Sequence, residues 1–214
     1  MKGYFITIEG PDGAGKTSVI EALVPRLRDV VQCDIVETRE PGGIPIAEDI
    51  RKVILNPDNV LMDDRTEALL YAASRRQHFV EKIKPSLEVG KMVICDRFID
   101  SSLAYQGRAR GIGVDEVLAI NEFATEKVLP DLTLYIDIDA ETGMQRVHQA
   151  SPVLDRIENV GIEFQQRVRH AYLDLWRQNP ERIVKIDGKQ AIEKVIDDCF
   201  NIIWQKYPEL FPMR

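Results

Sequence analysis

A glycine-rich turn that follows a short apolar run limits the folds open to this chain. The run, residues 4–8 (YFITI), has the composition of a buried strand. The residues after it match the pattern G-x-x-x-x-G-K-[ST], and they are Gly10, Pro11, Asp12, Gly13, Ala14, Gly15, Lys16 and Thr17. Between a strand and a helix, this loop turns backbone N–H groups and a helix N-terminus toward phosphate groups. It predicts a nucleoside triphosphate site in which Lys16 contacts the β- and γ-phosphates and Thr17 binds Mg²⁺.

Short apolar runs alternate with segments of helical periodicity along the rest of the chain. Strands are predicted at 4–9, 34–38, 92–95, 132–137 and 182–186, and helices at 67–87, 116–128, 161–176 and 192–204. Runs that are apolar throughout are typical of strands buried on both faces. The order therefore predicts an α/β fold, a five-stranded parallel sheet flanked by helices on both faces, with ligands at the carboxyl ends of the strands.

Composition excludes several classes of protein. The 214 residues suffice for one domain with a full core, and no linker or repeat divides them, so we expect a single domain over 1–214. The formal net charge of −7 argues against a nucleic-acid or membrane-surface binder. No apolar run is long enough for a transmembrane helix or a signal peptide. The three cysteines are far apart, as is typical of reduced thiols in a cytoplasmic protein: Cys33, Cys95 and Cys199.

The pattern G-x-x-x-x-G-K-[ST] is known as the P-loop and occurs in several classes of protein. Residues outside the loop distinguish these classes. The chain lacks the Asn-Lys-x-Asp motif of GTPases and the Leu-Ser-Gly-Gly-Gln signature of transporters, and it is too short for a helicase's second motor lobe. The predicted strand 92–95 ends in Asp96 and Arg97. There a carboxylate can hold Mg²⁺, directly or through water, and a guanidinium can bind phosphate oxygens. Arg39, Arg51 and Arg97 are the cations available for the phosphate of an acceptor.

Four motifs resemble those of thymidylate kinases, and most closely those of bacterial ones. They are 39–43 (REPGG), 71–78 (YAASRRQH), 96–98 (DRF) and 101–107 (SSLAYQG), and the resemblance extends over 4–204. It implies a P-loop kinase that phosphorylates thymidine monophosphate to thymidine diphosphate with Mg·ATP, in the pathway to dTTP. It also implies a homodimer, for which the largely apolar stretch 69–73 is a candidate contact. The family seats adenine at the stretch 187–189.

The resemblance assigns side chains to the acceptor's phosphate and base. Arg97 and Arg51 bind the phosphate, whereas Arg39 is open between direct contact and a structural role. Tyr71 stacks on thymine, and Arg75 donates a hydrogen bond to the O4 oxygen of the base. Because Tyr71 and Arg75 are four residues apart, they share one face of a predicted helix.

The resemblance assigns further side chains to the sugar and to the wall of the acceptor pocket around it. Ser102 and Gln106 lie near the base, and Tyr105 packs against the sugar, where its bulk disfavours a ribose 2′-hydroxyl. Glu40 orients this wall. Asp12 approaches the acceptor's 3′-hydroxyl or the water shell of the Mg²⁺ that Thr17 and Asp96 hold.

Residues 146–158 are predicted to form a mobile lid. Some thymidylate kinases carry an arginine in this loop, and others supply the cation for the transferring phosphoryl group from the lid. Because this loop carries the acid Asp12 and no arginine, the resemblance implies that the cation comes from the lid. Residues 154–158 (LDRIE) match the family, although 149–153 lack the basic residues that relatives often carry. Arg156 is the predicted catalytic cation, and its loss should cost about 10²–10³-fold in kcat. Weaker candidates are Arg146, Arg167 and Arg169.

Two other interpretations stay open. A kinase of another nucleoside monophosphate or of a deoxynucleoside would use the same scaffold, but Arg75 and Tyr105 favour a keto pyrimidine on a deoxyribose. A non-catalytic nucleotide-dependent switch is disfavoured, because the residues that carry phosphoryl transfer are intact: Lys16, Thr17, Asp96 and Arg97.

Overall fold

A computed structural model describes residues 3–150 and 154–212 of the chain. Its five parallel strands form one sheet in the order β2-β3-β1-β4-β5. The strands are β1 Tyr4–Glu9, β2 Ile35–Arg39, β3 Met92–Asp96, β4 Leu132–Asp137 and β5 Ile183–Asp187. The five predicted strands are confirmed, and their ends differ from the prediction by at most one residue.

The helices cover both faces of the sheet. They are α1 Lys16–Arg28, α2 Pro45–Leu55, α3 Asp64–His78, α4 Lys84–Glu88, α5 Ile99–Ser102, α6 Val114–Thr125, α7 Ala140–Ala150, α8 Ile162–Gln178 and α9 Ile192–Lys206. The predicted helix 67–87 corresponds to α3 and α4, joined by a π-helical turn at Phe79–Ile83. A second π-helical segment, Leu103–Ala109, follows α5. Within residues 3–150 and 154–212, no helix combines the length and apolar composition that a membrane crossing needs.

Two apolar clusters pack against the sheet, one on each face. Neighbouring residues of β1 show the division, because Phe5 belongs to one cluster and Ile6 to the other. The first cluster includes Phe164 of α8, and the second includes Leu23 of α1 and Ile203 of α9. Burying one such side chain contributes about 1.5–3 kcal/mol to stability. Both faces of the sheet are therefore covered, as the apolar strands predict.

The register of the sheet determines which residues meet at its carboxyl edge. Ile8 of β1 pairs with Asp96 of β3, and Arg39 of β2 pairs with the same Asp96. The loop that follows β1 therefore lies beside the end of β3, and the end of β2 comes next along the same edge. This edge brings the predicted phosphate-binding residues together.

Candidate active site

The loop between β1 and α1 is packed so closely that Gly10 and Gly13 cannot carry side chains. A Cβ at Gly13, whose φ is +76°, would lie 2.2 Å from the carbonyl oxygen of Gly143 in α7. The Lys16 ammonium donates to the carbonyl oxygens of Gly10 at 3.1 Å and Pro11 at 2.8 Å. Burial, with the adjacent positive charge of Arg97, lowers the pKa of Lys16 to about 8. The phosphate oxygens of a bound nucleotide would supply the negative charge that favours the protonated form of Lys16.

Arg97 points from the end of β3 into this loop. Its φ of 67° is left-handed and turns the chain sharply after the strand. The guanidinium contacts Asp12 Oδ1 at 2.6 Å and the carbonyl oxygen of Gly10 at 2.9 Å, and Tyr105 donates to Asp12 Oδ2 at 3.0 Å. Burial opposes ionisation of Asp12, but Arg97 and Lys16 outweigh it, so the pKa of Asp12 is lowered. Asp12 is therefore a carboxylate that holds the arginine.

Asp96 carries a buried oxygen that its neighbours do not satisfy. Among the described residues, no hydrogen-bond donor lies within reach of Asp96 Oδ1. Asp96 lines the same cavity as Thr17 and Lys16. A carboxylate and a hydroxyl beside a phosphate site form the donor set that Mg²⁺ takes in such loops, with water and phosphate oxygens completing its shell. The residues present fit this ion.

A cavity of about 580 Å³ joins the loop to the ends of β2 and β3. Many of the predicted site residues line it, namely Asp12, Gly13, Gly15, Lys16, Thr17, Glu40, Arg51, Tyr71, Arg75, Asp96, Arg97, Ser102, Tyr105 and Gln106. Arg39 and Arg146 line it as well. Its size suits a small-molecule ligand. Gly10, Pro11 and Ala14 belong to the loop but do not line this cavity.

Arg75 also lines the cavity, and several hydrogen bonds hold its guanidinium in place. Its side chain is 2% exposed, and its Nε donates to Glu40 Oε2 at 2.7 Å. Nη1 donates to Ser102 Oγ at 2.9 Å and to Asn121 Oδ1, and Nη2 donates to the Phe98 carbonyl oxygen at 3.0 Å. Arginine has five N–H groups, so one on Nη2 has no acceptor among the described residues. That group is available to a ligand.

Arg39 and Arg51 create a second positive region in the cavity. Each donates to the carbonyl oxygen of Pro41 at 3.0 Å, and Arg39 also pairs with Glu48 at 2.8 Å. Burial and the proximity of Arg39 lower the pKa of Arg51. Two guanidinium groups with one carboxylate between them leave positive charge for an anion.

Glu9, the last residue of β1, connects the strand to the structure after β3. It is buried and accepts hydrogen bonds from Phe98 N at 2.7 Å, Ser101 Oγ at 2.6 Å and Tyr172 OH at 2.8 Å. Burial, followed by the nearby Asp100, raises the pKa of Glu9 to about 7. Glu9 therefore changes charge in the neutral range.

Comparison with known proteins identifies the family. A family model described as thymidylate kinase matches residues 8–199. The thymidylate kinase of Enterococcus faecalis is 57% identical over 212 residues, which are 99% of this chain and 100% of that protein. The chain belongs to the thymidylate kinase family.

Two further family members support the assignment. The thymidylate kinase of Lacticaseibacillus casei is 54% identical over 213 residues, 99% of this chain and 100% of that protein. The crystal structure of thymidylate kinase from Ehrlichia chaffeensis superposes with a TM-score of 0.79 at 34% identity, covering 95% of this chain and 100% of that chain. The predicted fold, a P-loop kinase with a five-stranded parallel sheet, is confirmed.

The predicted lid residues of this thymidylate kinase family member lie in different environments. Arg146, in α7, faces the cavity and donates to the carbonyl oxygens of Gly13 at 3.4 Å and Gly188 at 3.3 Å. Arg156 does not line the cavity, because its guanidinium pairs with Glu67 at 2.6 Å. Of the predicted lid, 151–153 lie outside the described residues.

The two remaining cation candidates also lie away from the cavity lining. Arg167 donates to the carbonyl oxygen of Ala109 at 3.2 Å. Arg169 forms an ion pair with Asp137 at 2.8 Å. Neither guanidinium is among the groups that line the cavity in the described part of the chain.

Sequence reasoning missed three residues that support the site. Asn121 accepts a hydrogen bond from Arg75, and Gln165 donates to Asp12 Oδ2 at 3.4 Å. Glu67 accepts a hydrogen bond from Gln106 at 2.8 Å and pairs with Arg156. Only Glu67 had a local signal, because it lies four residues before Tyr71 and so on the same face of α3.

Proposed function

We propose that this chain transfers the γ-phosphoryl group of ATP to thymidine monophosphate and releases thymidine diphosphate, in the pathway to dTTP. Membership of the family supports the reaction. The observation that carries the acceptor is the held guanidinium of Arg75, which has one free N–H and lies one helical turn after Tyr71. A fixed donor recognises a keto oxygen such as O4 of thymine and rejects the amino group of cytosine.

The chain's own residues supply alignment and charge. Lys16 and the N–H groups of the loop hold the β- and γ-phosphates of ATP, and Arg97 and Arg51 hold the acceptor's phosphate. That acceptor is already an oxyanion near neutral pH, so no strong general base is needed. Tyr105, held against Asp12, closes the sugar side of the pocket. Alignment of this kind accounts for most of the catalysis of phosphoryl transfer.

Thr17 and Asp96 are the residues proposed to hold Mg²⁺, with Asp96 acting partly through water. When bound, the ion neutralises charge on the phosphate oxygens. The unsatisfied Asp96 Oδ1 supports this role.

A cation near the transferring group is proposed to come from residues 146–158, which we treat as a lid within one catalytic domain. Arg146 is favoured by its position in the cavity lining next to the Gly13 carbonyl. The resemblance assigned this role to Arg156, but its guanidinium is engaged by Glu67 and it does not line the cavity, so we propose Arg146 in its place.

We further propose that the protein is a cytoplasmic homodimer with no nucleic-acid partner. The apolar side chains of Leu69 on α3 and Phe123 on α6 are 58% and 87% exposed, and these two helices pack against each other. Such exposed apolar groups are typical of a subunit contact. The three free cysteines favour a reducing compartment, and the net charge of −7 disfavours nucleic acid.

The test is an ADP-release assay with Mg·ATP and a panel of acceptors. The panel contains thymidine, deoxyuridine, deoxycytidine and deoxyguanosine monophosphates, the ribose form of thymidine monophosphate, and free thymidine. We expect turnover with thymidine monophosphate and weaker turnover with deoxyuridine monophosphate, since one methyl group contributes about 1–3 kcal/mol. A Lys16→Met variant purified in parallel controls for contaminating kinases. Preference for a purine or a ribose acceptor would overturn the assignment.

A further inference from the structure

A buried carboxylate outside the cavity lining gathers three segments of the chain. Glu67 of α3 is 0% exposed. It accepts hydrogen bonds from Gln106 at 2.8 Å, from Arg110 at 3.0 Å and from Arg156 at 2.6 Å. Gln106 lies in the π-helical segment, Arg110 directly follows that segment, and Arg156 lies in the predicted lid. One side chain therefore joins α3 to both segments.

Glu67 is placed directly behind the acceptor side of the cavity. It precedes Tyr71 by one helical turn and Arg75 by two, and both of these line the cavity. Its partner Gln106 lines the cavity as well. A displacement of Glu67 would therefore be transmitted to three groups of the acceptor pocket.

Arg156 is anchored at more than one point. Its Nε donates to the carbonyl oxygen of Ile54 at 2.8 Å, and its backbone N–H donates to the carbonyl oxygen of Leu55 at 3.2 Å. Ile54 and Leu55 end α2, the helix that carries Arg51 one turn earlier. Together with the ion pair to Glu67, these contacts attach Arg156 to both α2 and α3.

The charge balance makes this arrangement sensitive to the loss of Glu67. The guanidinium groups of Arg110 and Arg156 are 15% and 10% exposed, and both rely on the same carboxylate. Arg110 has a second acid, Asp64, at 3.4 Å, whereas the only carboxylate paired with Arg156 among the described residues is Glu67. Removing one partner of a buried pair leaves an uncompensated charge.

We propose that Glu67 is a positioning residue for the acceptor site, and that Arg156 supports acceptor binding through Glu67 rather than by contact with the transferring group. The part of this inference that concerns kinetics rests on the proposed function. It predicts that Glu67 and Arg156 form one functional unit whose loss weakens the binding of thymidine monophosphate more than the binding of ATP.

A double-mutant cycle tests the proposal. Glu67→Gln and Arg156→Ala are each expected to lower kcat/KM for thymidine monophosphate about 10-fold, chiefly by raising its KM, with the KM for ATP nearly unchanged. Because the two residues act as one unit, the double variant should lose about 10- to 20-fold rather than the about 100-fold of independent effects. Multiplicative losses would overturn the proposal. So would a Glu67→Gln enzyme with normal kinetics beside an Arg156→Ala enzyme that loses kcat alone.

Arg146→Ala is the matched control. Arg146 lines the cavity and does not contact Glu67, so its effect should multiply with that of Glu67→Gln. If it instead shows the same non-additivity, the cycle reports general loosening and the proposal fails.

Hydrogen exchange gives a readout that needs no substrate. The amide of Arg156 is bonded to the Leu55 carbonyl, so peptides that cover 154–158 should exchange faster in Glu67→Gln and in Arg156→Ala. Unchanged exchange in Arg156→Ala would overturn the anchoring even if Glu67→Gln fails to fold. Since this arm is independent of turnover, a wild-type protein inactive on thymidine monophosphate would refute the proposed function and leave the anchoring tested.

Discussion

Arg97 Nη2 lies 2.6 Å from Asp12 Oδ1, so an acid within the phosphate-binding loop holds the arginine that follows β3. The same carboxylate accepts the Tyr105 hydroxyl at 3.0 Å. Arg97 stands over the Tyr105 ring, with its guanidinium carbon 5.1 Å from the ring centre. Asp12 therefore orients two groups assigned to the acceptor, and its negative charge is offset before a nucleotide binds.

Replacing Asp12 with asparagine should weaken acceptor binding. An amide keeps one acceptor oxygen but loses the charge, and Arg97 loses its ion pair and its fixed direction. We expect about a 10-fold lower kcat/KM for thymidine monophosphate, mostly through KM, measured by steady-state kinetics. The control is Gln165→Ala, which removes only a 3.4 Å hydrogen bond to Asp12 and should cost less than about threefold. An Asp12→Asn enzyme with a normal KM would contradict the role.

The pKa of Lys16 predicts that ATP affinity depends on pH. Burial lowers this pKa to about 8 in the free protein, whereas bound phosphates favour the charged ammonium. Affinity should be constant below pH 8 and fall above it, because binding must then take up a proton. Isothermal titration calorimetry at pH 7.5, 8.5 and 9.5 would measure this, since the phosphates of ATP stay ionised over the range.

Lys16→Arg is the matched variant for that titration. Arginine remains charged throughout the range, so the slope of affinity against pH should disappear even if the overall affinity is lower. Equal affinities of the wild-type protein at pH 7.5 and 9.5 would exclude Lys16 as the titrating group.

Replacing Asp96 should increase the Mg²⁺ concentration that the enzyme requires for turnover. Its Oδ1 is buried and has no partner among the described residues, so it is a ready acceptor for the metal or its water. We expect Asp96→Asn to raise the Mg²⁺ concentration that gives half-maximal turnover at least about 10-fold, and excess chelator to abolish wild-type turnover. A variant with an unchanged Mg²⁺ requirement would argue that Asp96 is structural.

The elements and motifs that could be predicted are those specified by residues adjacent in the sequence. The strand β1, the loop and the start of α1 are contiguous, so one pattern specifies all three. In contrast, α2 was missed because it has a narrow apolar face, with only Ala47 and Ile54 buried, although Pro45 is favourable in its first turn. The π-helical segment that carries Tyr105 is not among the predicted helices.

The partners of the predicted side chains were not predictable, because they are distant in the sequence. Arg156 and Glu67 are separated by 89 positions, and Arg75 and Asn121 by 46. A motif reveals that an arginine is present, but tertiary packing decides whether its guanidinium faces the cavity or a buried acid. That difference separates Arg146 from Arg156 in this structure.

The stability of the protein should fall as Glu9 ionises. Its pKa is about 7 in the folded protein and near 4.5 when unfolded, so the folded state holds one more proton between these values. The free energy of unfolding therefore decreases from pH 4.5 to pH 7, and the contribution is lost once Glu9 is charged. In Glu9→Gln this slope is absent, so the variant should gain about 1–3 kcal/mol relative to wild type between pH 5 and pH 8. Urea denaturation at both pH values measures the difference, and a pH-independent difference would show that Glu9 is already ionised in the acid range.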